Sequence, residues 1–200
     1  TGNADYSCEN PVNFTAGNIG SGGSNVLKDG GRNIHTRTSE NTPSTPDIDV
    51  TSPNTFFGDP NAVAVHYAVT QFYDYLLNVH DRNSIDGNGY KLKAWVHYWQ
   101  NWNNAGWVSG HAIFGDGDNS TYTAFTSLDI VAHEFAHGLT MQTARLAYEN
   151  ESGALNEGFS DIFGTLVEFY AEPACADWLI GEDIVIQNGK IASRSMSNPK

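Results

Sequence analysis

The chain has 200 residues, of which 23 are acidic and 10 are basic, so its formal net charge is −13 at pH 7. This length suits one domain or one lobe of a larger molecule. The negative charge argues against binding to nucleic acid or anionic membranes, and no stretch approaches the roughly eighteen apolar residues of a membrane span.

The start of the chain gives an expectation about its location. Thr1 opens a polar segment without the pattern of a signal peptide, which fits a mature, processed chain. The acidic net charge suits a protein that is secreted and extracellular. Cys8 and Cys175 are the two cysteines. The sequence leaves open whether they pair, because disulfide geometry cannot be read from it.

Residues 1–50 are rich in Gly, Asn, Ser and Thr, which predicts short strands and loops. Asp59 and Pro60 are typical of a helix start, with Asp as the N-cap and Pro in the first turn. Apolar residues then recur at helical spacing and predict a helix over 60–80.

The middle of the chain predicts strands. The run Asp86-Gly87-Asn88-Gly89 predicts a turn. Apolar residues alternate with more polar ones over 92–98 and predict a strand, and 111–114 predicts another.

The most informative motif is His133-Glu134-Phe135-Ala136-His137, which has the pattern H-E-x-x-H. Residues four apart share one face of a helix, so His133 and His137 can hold one zinc ion. Glu134 lies beside them and is placed to act as general base toward a water that the zinc activates. The motif lies on a helix predicted over 127–144. The alternative to a zinc site is that the polar face of this helix is exposed to solvent. The neighbours that argue instead for a buried helix are Leu128, Ile130, Val131, Phe135 and Leu139.

A third zinc ligand is predicted downstream. Apolar residues at helical spacing predict a second helix over 153–172, on which Glu157 and Asp161 share one face. Hydrolytic zinc sites use three protein ligands and one open position, so Glu157 is the predicted third ligand. Asp161 is predicted to accept the outer N–H of a ligand histidine, His133. The alternative for each is an ordinary surface carboxylate.

These motifs resemble the thermolysin-like neutral zinc metallopeptidases. Nineteen residues separate His137 from Glu157, which lies in Asn156-Glu157-x-x-x-Asp161. The run Asn104-Ala105-Gly106-Trp107 resembles the substrate-holding edge strand of the family, and 115–118 follows it as Gly-Asp-Gly-Asp. The likeness is strong from about residue 56 to 199.

The resemblance implies catalytic roles. Glu134 would be the general base, Tyr148 would help to stabilise the tetrahedral intermediate, and Arg194 would hydrogen-bond a substrate carbonyl. The alternatives are an ordinary interface tyrosine and an ordinary surface arginine.

The resemblance also implies how substrate binds. Asn104 and Ala105 would bind the backbone of a peptide or protein substrate by strand addition. Phe125 and Ile130 would help to line an apolar pocket for the residue after the scissile bond.

Calcium is implied as a second metal. Asp129, Glu168, Asp177 and Glu182 match the main calcium site of the family, with the backbone carbonyl of Leu179 as a further ligand. Oxygen ligands of this kind suit a hard cation, and the carboxylates would repel one another without one. The alternative is a solvated acidic face. We expect one calcium region that holds one or two ions.

The expected fold class is α+β. Residues 1–125 would form a β-rich amino-terminal lobe with a mixed, largely antiparallel sheet, and 126–200 a zinc-binding helical region. Members of the family continue into a carboxy-terminal helical lobe that we expect to be absent here. A second chain would supply it, or it has been truncated.

Three functions follow from these observations. The first is a secreted zinc-dependent neutral endopeptidase. The second is a zinc- and calcium-binding lobe without turnover, because the helical lobe is missing. The third is a scaffold that keeps the ligand pattern only for folding.

Overall fold

The computed structural model describes residues 18–19, 24–186 and 190–198. Three helices carry most of the packed surface: α1 (Pro60–His80), α2 (Leu128–Gln142) and α3 (Asn150–Ala171). The strands are β1 (Asn18–Ile19), β2 (Asn25–Val26), β3 (Lys28–Asp29), β4 (Ile34–Thr38), β5 (Thr51–Ser52), β6 (Leu92–Val96), β7 (Ala105–Val108), β8 (His111–Phe114), β9 (Leu179–Ile180) and β10 (Arg194–Ser195).

The main sheet has five strands in the order β3-β4-β6-β8-β7. The β4–β6 and β6–β8 pairs are parallel, with Ile34 opposite Leu92, whereas β3–β4 and β7–β8 are antiparallel. The two smaller sheets, β1-β2-β5 and β9-β10, are antiparallel. The expected α+β fold with a mixed, largely antiparallel sheet is therefore confirmed, and β7 is an edge strand.

Helix α1 begins and ends as its sequence predicts. The Asp59 carboxylate accepts a hydrogen bond from the backbone N–H of Ala62 (3.1 Å), and Pro60 occupies the first turn. Asp81 ends the helix in the left-handed conformation at φ 50°. The buried face of α1 packs on the main sheet and on α2. Its fully covered side chains include Val65, Ala68, Val69, Phe72 and Leu76.

Helices α2 and α3 pack closely because small residues lie at their contacts. A Cβ at Gly164 of α3 would lie 2.7 Å from the carbonyl oxygen of Asp129 on α2. A Cβ at Gly138 would lie 2.7 Å from the Trp107 ring on β7. Glycine at these two positions lets α2 approach its neighbours on both sides, which brings the histidines of α2 within reach of α3.

The predicted elements match the structure with small differences. The helix predicted over 127–144 spans 128–142, and the helix predicted over 153–172 begins three residues earlier, at Asn150. The strand predicted over 92–98 ends at Val96, and the strand at 111–114 is as predicted. None of the three helices in the described part of the chain is long and apolar enough to span a membrane. Cys175 is not a free thiol, and Cys8 lies outside the described residues.

Candidate zinc site and substrate cleft

The three predicted zinc ligands meet at one point between α2 and α3. The Nε2 atoms of His133 and His137 lie 3.0 Å apart. Glu157 lies 3.3 Å from the first and 3.5 Å from the second. Within the described ranges, this is the one group of three or more potential ligand atoms that all lie within 4.8 Å of one another. Two imidazoles and one carboxylate are the donors of a hydrolytic zinc site, so the set fits zinc.

Each histidine is oriented through its other ring nitrogen. The Nδ1–H of His133 donates to Asp161 (2.8 Å), the contact expected from the sequence. The Nδ1–H of His137 donates to the Asn156 side-chain oxygen (2.7 Å), and the Ser160 hydroxyl lies 3.1 Å away. These acceptors fix the tautomers and leave both Nε2 atoms for a metal.

The same carboxylates shape the protonation of the site. Burial disfavours the charged imidazolium, but hydrogen bonds to Asp161 and Glu157 prevail and raise the pKa of His133 to about 9. The hydrogen bond from His133 in turn lowers the pKa of Glu157 to about 2. Burial and the nearby His133 charge lower the pKa of His137. Zinc therefore competes with a proton at His133, and its binding releases that proton.

Glu134 is buried, with 8% of its surface exposed, and it lines the same cleft as the ligands. Burial raises its pKa to about 7, while the His133 charge and a hydrogen bond from the backbone N–H of Trp107 oppose the rise. A carboxylate with a pKa near neutrality suits a general base. The Trp107 contact links this carboxylate to the edge strand, and the sequence analysis did not anticipate it.

Tyr148 and Arg194 both lie at the rim of the site. The Tyr148 hydroxyl donates to Glu157, which raises the pKa of Tyr148 to about 12. The Arg194 guanidinium forms a bidentate pair with Asp161 at 2.6 and 2.9 Å. Half of the Arg194 side chain is exposed, and the pair uses two of its five N–H donors. The remaining donors are available to a bound molecule.

The ligands open into a cleft of about 840 Å³. One wall is the edge strand, including Asn104 and Ala105, and the floor is α2. Phe125 and Ile130 are 9% and 8% exposed and line the cleft on the side of Arg194. The cleft therefore brings together all the residues predicted for zinc, catalysis and substrate.

The edge strand is held by the loop that follows β8. The backbone N–H of Gly115 donates to the Asn104 carbonyl (3.0 Å), and that of Gly117 donates to the Trp102 carbonyl (3.3 Å). A Cβ at Gly115 would lie 2.1 Å from the Trp102 carbonyl oxygen. Only glycine allows this approach, which explains the first residue of the Gly-Asp-Gly-Asp run.

A histidine between two carboxylates anchors the same loop. The Nδ1 of His97 lies 2.7 Å from Asp116, and its Nε2 lies 2.9 Å from Asp59, the N-cap of α1. These hydrogen bonds raise the pKa of His97 to about 10, although burial opposes the charge. His97 has a left-handed backbone, at φ 53°. No sequence spacing connects the three segments that carry Asp59, His97 and Asp116, so the sequence alone does not indicate this contact.

The predicted calcium residues form an acidic cluster that includes Asp129 of α2. Asp129 is buried and accepts the backbone N–H groups of Ile130 (2.7 Å) and Gly181 (2.6 Å). Burial, followed by the charges of neighbouring acids, raises the pKa of Glu168 to about 9 and that of Glu182 to about 7. One carboxylate oxygen of each has no hydrogen-bond partner. Without a cation, these carboxyls therefore tend to hold protons near neutral pH, because burial and the neighbouring acids disfavour their ionised forms.

Other members of this acidic group differ in their contacts. The Asp177 carboxylate accepts the backbone N–H of Leu179 (2.6 Å). Asp183, which the sequence analysis missed, belongs to the group, and burial and the charge of Asp129 raise its pKa to about 6. Uncompensated carboxylates with orphaned oxygens fit a hard cation. Their oxygens do not converge as closely as the zinc ligands do.

Two protein-family models match this chain and together cover almost all of it. A family model described as the thermolysin metallopeptidase catalytic domain matches residues 1–141, and the model of the alpha-helical domain matches residues 144–200. The chain belongs to the thermolysin metallopeptidase family. The second match shows that part of the helical domain is present, which corrects the expectation that none of it lies in this chain. Membership implies zinc and calcium as cofactors.

Individual relatives of this thermolysin-family chain agree. A bacillolysin from Brevibacillus brevis is 43% identical over 183 residues, which cover 89% of this chain and 33% of that protein. A thermolysin from Alicyclobacillus acidocaldarius subsp. acidocaldarius is 49% identical over 150 residues, which cover 73% of this chain and 27% of that protein. The chain thus spans a third or less of the length of these relatives.

A solved structure gives the same result for the fold. The precursor of protealysin, a metalloproteinase from Serratia proteamaculans, superposes with a TM-score of 0.76 and 34% sequence identity. The match covers 83% of this chain and 53% of that one.

Proposed function

We propose that this chain forms the zinc-bearing part of a secreted neutral endopeptidase that hydrolyses peptide bonds in peptide or protein substrates. The observation that carries the proposal is the convergence of His133, His137 and Glu157 beside the buried carboxylate of Glu134. Zinc, when bound, polarises the scissile carbonyl and lowers the pKa of water. The acidic net charge and the calcium residues support an extracellular site of action.

The proposed general base is Glu134. Its carboxylate accepts a proton from the attacking water and then passes it to the leaving amine. A pKa near 7 allows both steps at neutral pH. The Trp107 backbone N–H orients the carboxylate. Tyr148 and the free N–H donors of Arg194 are the proposed groups that hydrogen-bond the carbonyl oxygen as its charge develops.

The proposed substrate mode is strand addition. Strand β7 pairs with β8 along one edge, and its other edge faces the cleft, so Ala105 offers backbone groups to an extended peptide. The Asn104 carbonyl is bonded to Gly115, so Asn104 is proposed to bind the peptide backbone through its side-chain amide. Phe125 and Ile130 offer apolar surface on the side of Arg194. We therefore expect a preference for an apolar residue after the scissile bond.

The proposed calcium site comprises Asp129, Glu168, Asp177 and Glu182, with the carbonyl of Leu179. Burial and then repulsion between the acids raise the pKa of Glu168 and Glu182, and a bound cation would offset both effects. Calcium should therefore raise the midpoint of thermal unfolding in a saturable way. The Glu168→Gln variant should lose most of this response, and an equal response in both proteins would contradict the assignment.

The decisive experiment combines metal analysis with a peptidase assay. We expect one zinc ion per chain, cleavage of an extended apolar peptide, and loss of cleavage after treatment with a zinc chelator. Readdition of zinc should restore cleavage. Cleavage that survives complete zinc removal would refute the proposal.

A second candidate is a zinc- and calcium-binding lobe without turnover. It is supported by the exposed apolar face of α3, where Leu155 is 55%, Phe159 44% and Ile162 40% exposed. A second chain that covers this face would complete the enzyme. Intact mass and a search for a co-purifying chain separate the candidates: zinc binding without cleavage by the isolated chain favours the second.

A further inference from the structure

Arg145 is a cationic side chain at the rim of the cleft, beside Met141, Leu146 and Tyr148. Arg194 is the other arginine that lines the cleft, and Asp161 neutralises it. Within the described part of the chain, the Arg145 side chain has no hydrogen bond or ion pair. Arg145 therefore presents an uncompensated positive charge in a strongly acidic protein.

The backbone of Arg145 is held in a conformation that favours glycine. Its φ is 51°, and its N–H donates to the carbonyl of Thr140 (2.8 Å), which closes the carboxyl end of α2. Arg145 lies three residues beyond the last residue of α2, and a left-handed backbone favours glycine because a Cβ is disfavoured there. A long charged side chain at such a place, on the rim of a cleft, points to a functional use.

The edge strand sets the direction in which a substrate lies. The carbonyl of Asn104 bonds to Gly115, whose own carbonyl accepts the N–H of Phe125 (2.9 Å). The amino end of the strand is therefore near Phe125. At the other end, the Trp107 ring touches Gly138 of α2. The strand thus runs from the apolar pocket toward the carboxyl end of α2.

A peptide added antiparallel to this strand runs the opposite way. Its carboxyl side lies at Phe125 and Ile130, the proposed pocket for the residue after the scissile bond. Its amino side lies toward Met141 and Arg145. Arg145 lies on the order of 10 Å beyond His137 along α2, which corresponds to about two or three residues of extended chain.

We propose that Arg145 is a specificity-determining residue that selects an acidic side chain two or three positions before the scissile bond. This inference rests on the proposed peptidase function. The arginine adds a favourable charge pair at the rim of the cleft, whereas the zinc ligands and Glu134 carry the chemistry.

The test uses two pairs of peptide substrates of the zinc-loaded protein. The two peptides of one pair differ only by Asp or Asn at the second position before the scissile bond, and those of the other pair differ in the same way at the third position. The Asp/Asn ratio of kcat/KM in at least one pair should fall about two- to fivefold in Arg145→Gln, the range for an exposed ion pair. Arg145→Lys should retain most of the preference, and 0.5 M salt should weaken it in the unmodified protein. Lys91→Gln removes the same charge from an exposed residue outside the cleft and should leave both ratios unchanged.

Arg145→Gly separates selectivity from stability. Glycine adopts φ 51° without cost, so this variant should unfold at a higher temperature and still lose the Asp preference. Ratios that stay the same in Arg145→Gln, or that change equally in Lys91→Gln, would overturn the inference.

The failure of the proposed function has a different signature. If the zinc-loaded chain cleaves none of the peptides, the endopeptidase proposal fails for the isolated chain. The preference is then measured as binding of the same peptides to zinc-loaded Glu134→Gln. The ratio of affinities for the Asp and Asn peptides is compared between Glu134→Gln and the double variant that also carries Arg145→Gln. A fall of this ratio by about two- to fivefold in the double variant supports the inference, and an unchanged ratio refutes it.

Discussion

The His97 triad makes a sharp prediction about stability and pH. Both ring nitrogens of His97 lie beside carboxylates of Asp59 and Asp116, so the folded protein holds the imidazolium. The pKa of His97 rises from 6.5 to about 10 on folding. A raised pKa stabilises the fold fully below 6.5, and the stabilisation disappears as pH rises through about 10.

The size of the effect follows from the exposure of the triad. A shift from 6.5 to about 10 corresponds to at most roughly 5 kcal/mol. The side chains of His97, Asp59 and Asp116 are 23%, 28% and 25% exposed, so solvent screens the charges. We therefore expect His97→Gln to lower the free energy of unfolding by about 2 kcal/mol at pH 6.5.

The assay is urea unfolding of the unmodified protein and of His97→Gln at steps from pH 6.5 to 10. The difference in unfolding free energy between them should shrink steadily toward zero across this range. A difference that stays constant or grows with pH would refute the charged triad.

His35→Gln is the matched control, because His35 also contacts a carboxylate, Asp49, at 2.7 Å. Burial and the charge of Arg37 lower the pKa of His35. Its effect on stability should therefore not vary with pH above 6.5.

Three further predictions concern the helices that carry the site. Glu134→Gln should lower kcat by about 10²–10⁴-fold at unchanged zinc content, measured by peptide hydrolysis and metal analysis; equal activity would exclude Glu134 as the base. Asp161→Asn should weaken zinc binding by about 10–100-fold in a competition titration, because the acceptor of the His133 Nδ1–H loses its negative charge. Gly164→Ala should cost about 1–3 kcal/mol in urea unfolding, since the added methyl meets the Asp129 carbonyl. Gly158→Ala meets open space on the same helix and should raise stability, by at most about 1 kcal/mol.

Local sequence spacing predicted the helical part of the site. His133, Glu134 and His137 occupy one helix, so their relative positions follow from its 3.6-residue period. The same period places Glu157 and Asp161 together on α3. Their approach to the histidines depends on Gly164, whose packing role becomes apparent only when the two helices are seen together.

Contacts between distant segments could not be predicted from spacing. The parallel pairing of β4 with β6 joins Ile34 to Leu92 across a whole helix, and no local pattern encodes that register. The triad likewise joins Asp59, His97 and Asp116 from three segments. The contact of the Trp107 backbone with Glu134 was also missed, because a backbone N–H has no sequence signature.

The site thus has two supports with separate anchors. Asp161 on α3 holds both His133 and Arg194, so it governs the metal and one wall of the cleft. His97 holds the loop that fixes the edge strand, so it governs how substrate is presented. These two anchors share no hydrogen-bond partner among the described residues. The losses of unfolding free energy in Asp161→Asn and His97→Gln should therefore add in the double variant. In addition, Asp161→Asn should weaken zinc affinity, and His97→Gln should change KM. A large coupling between them would show that the strand and the metal helices move as one unit.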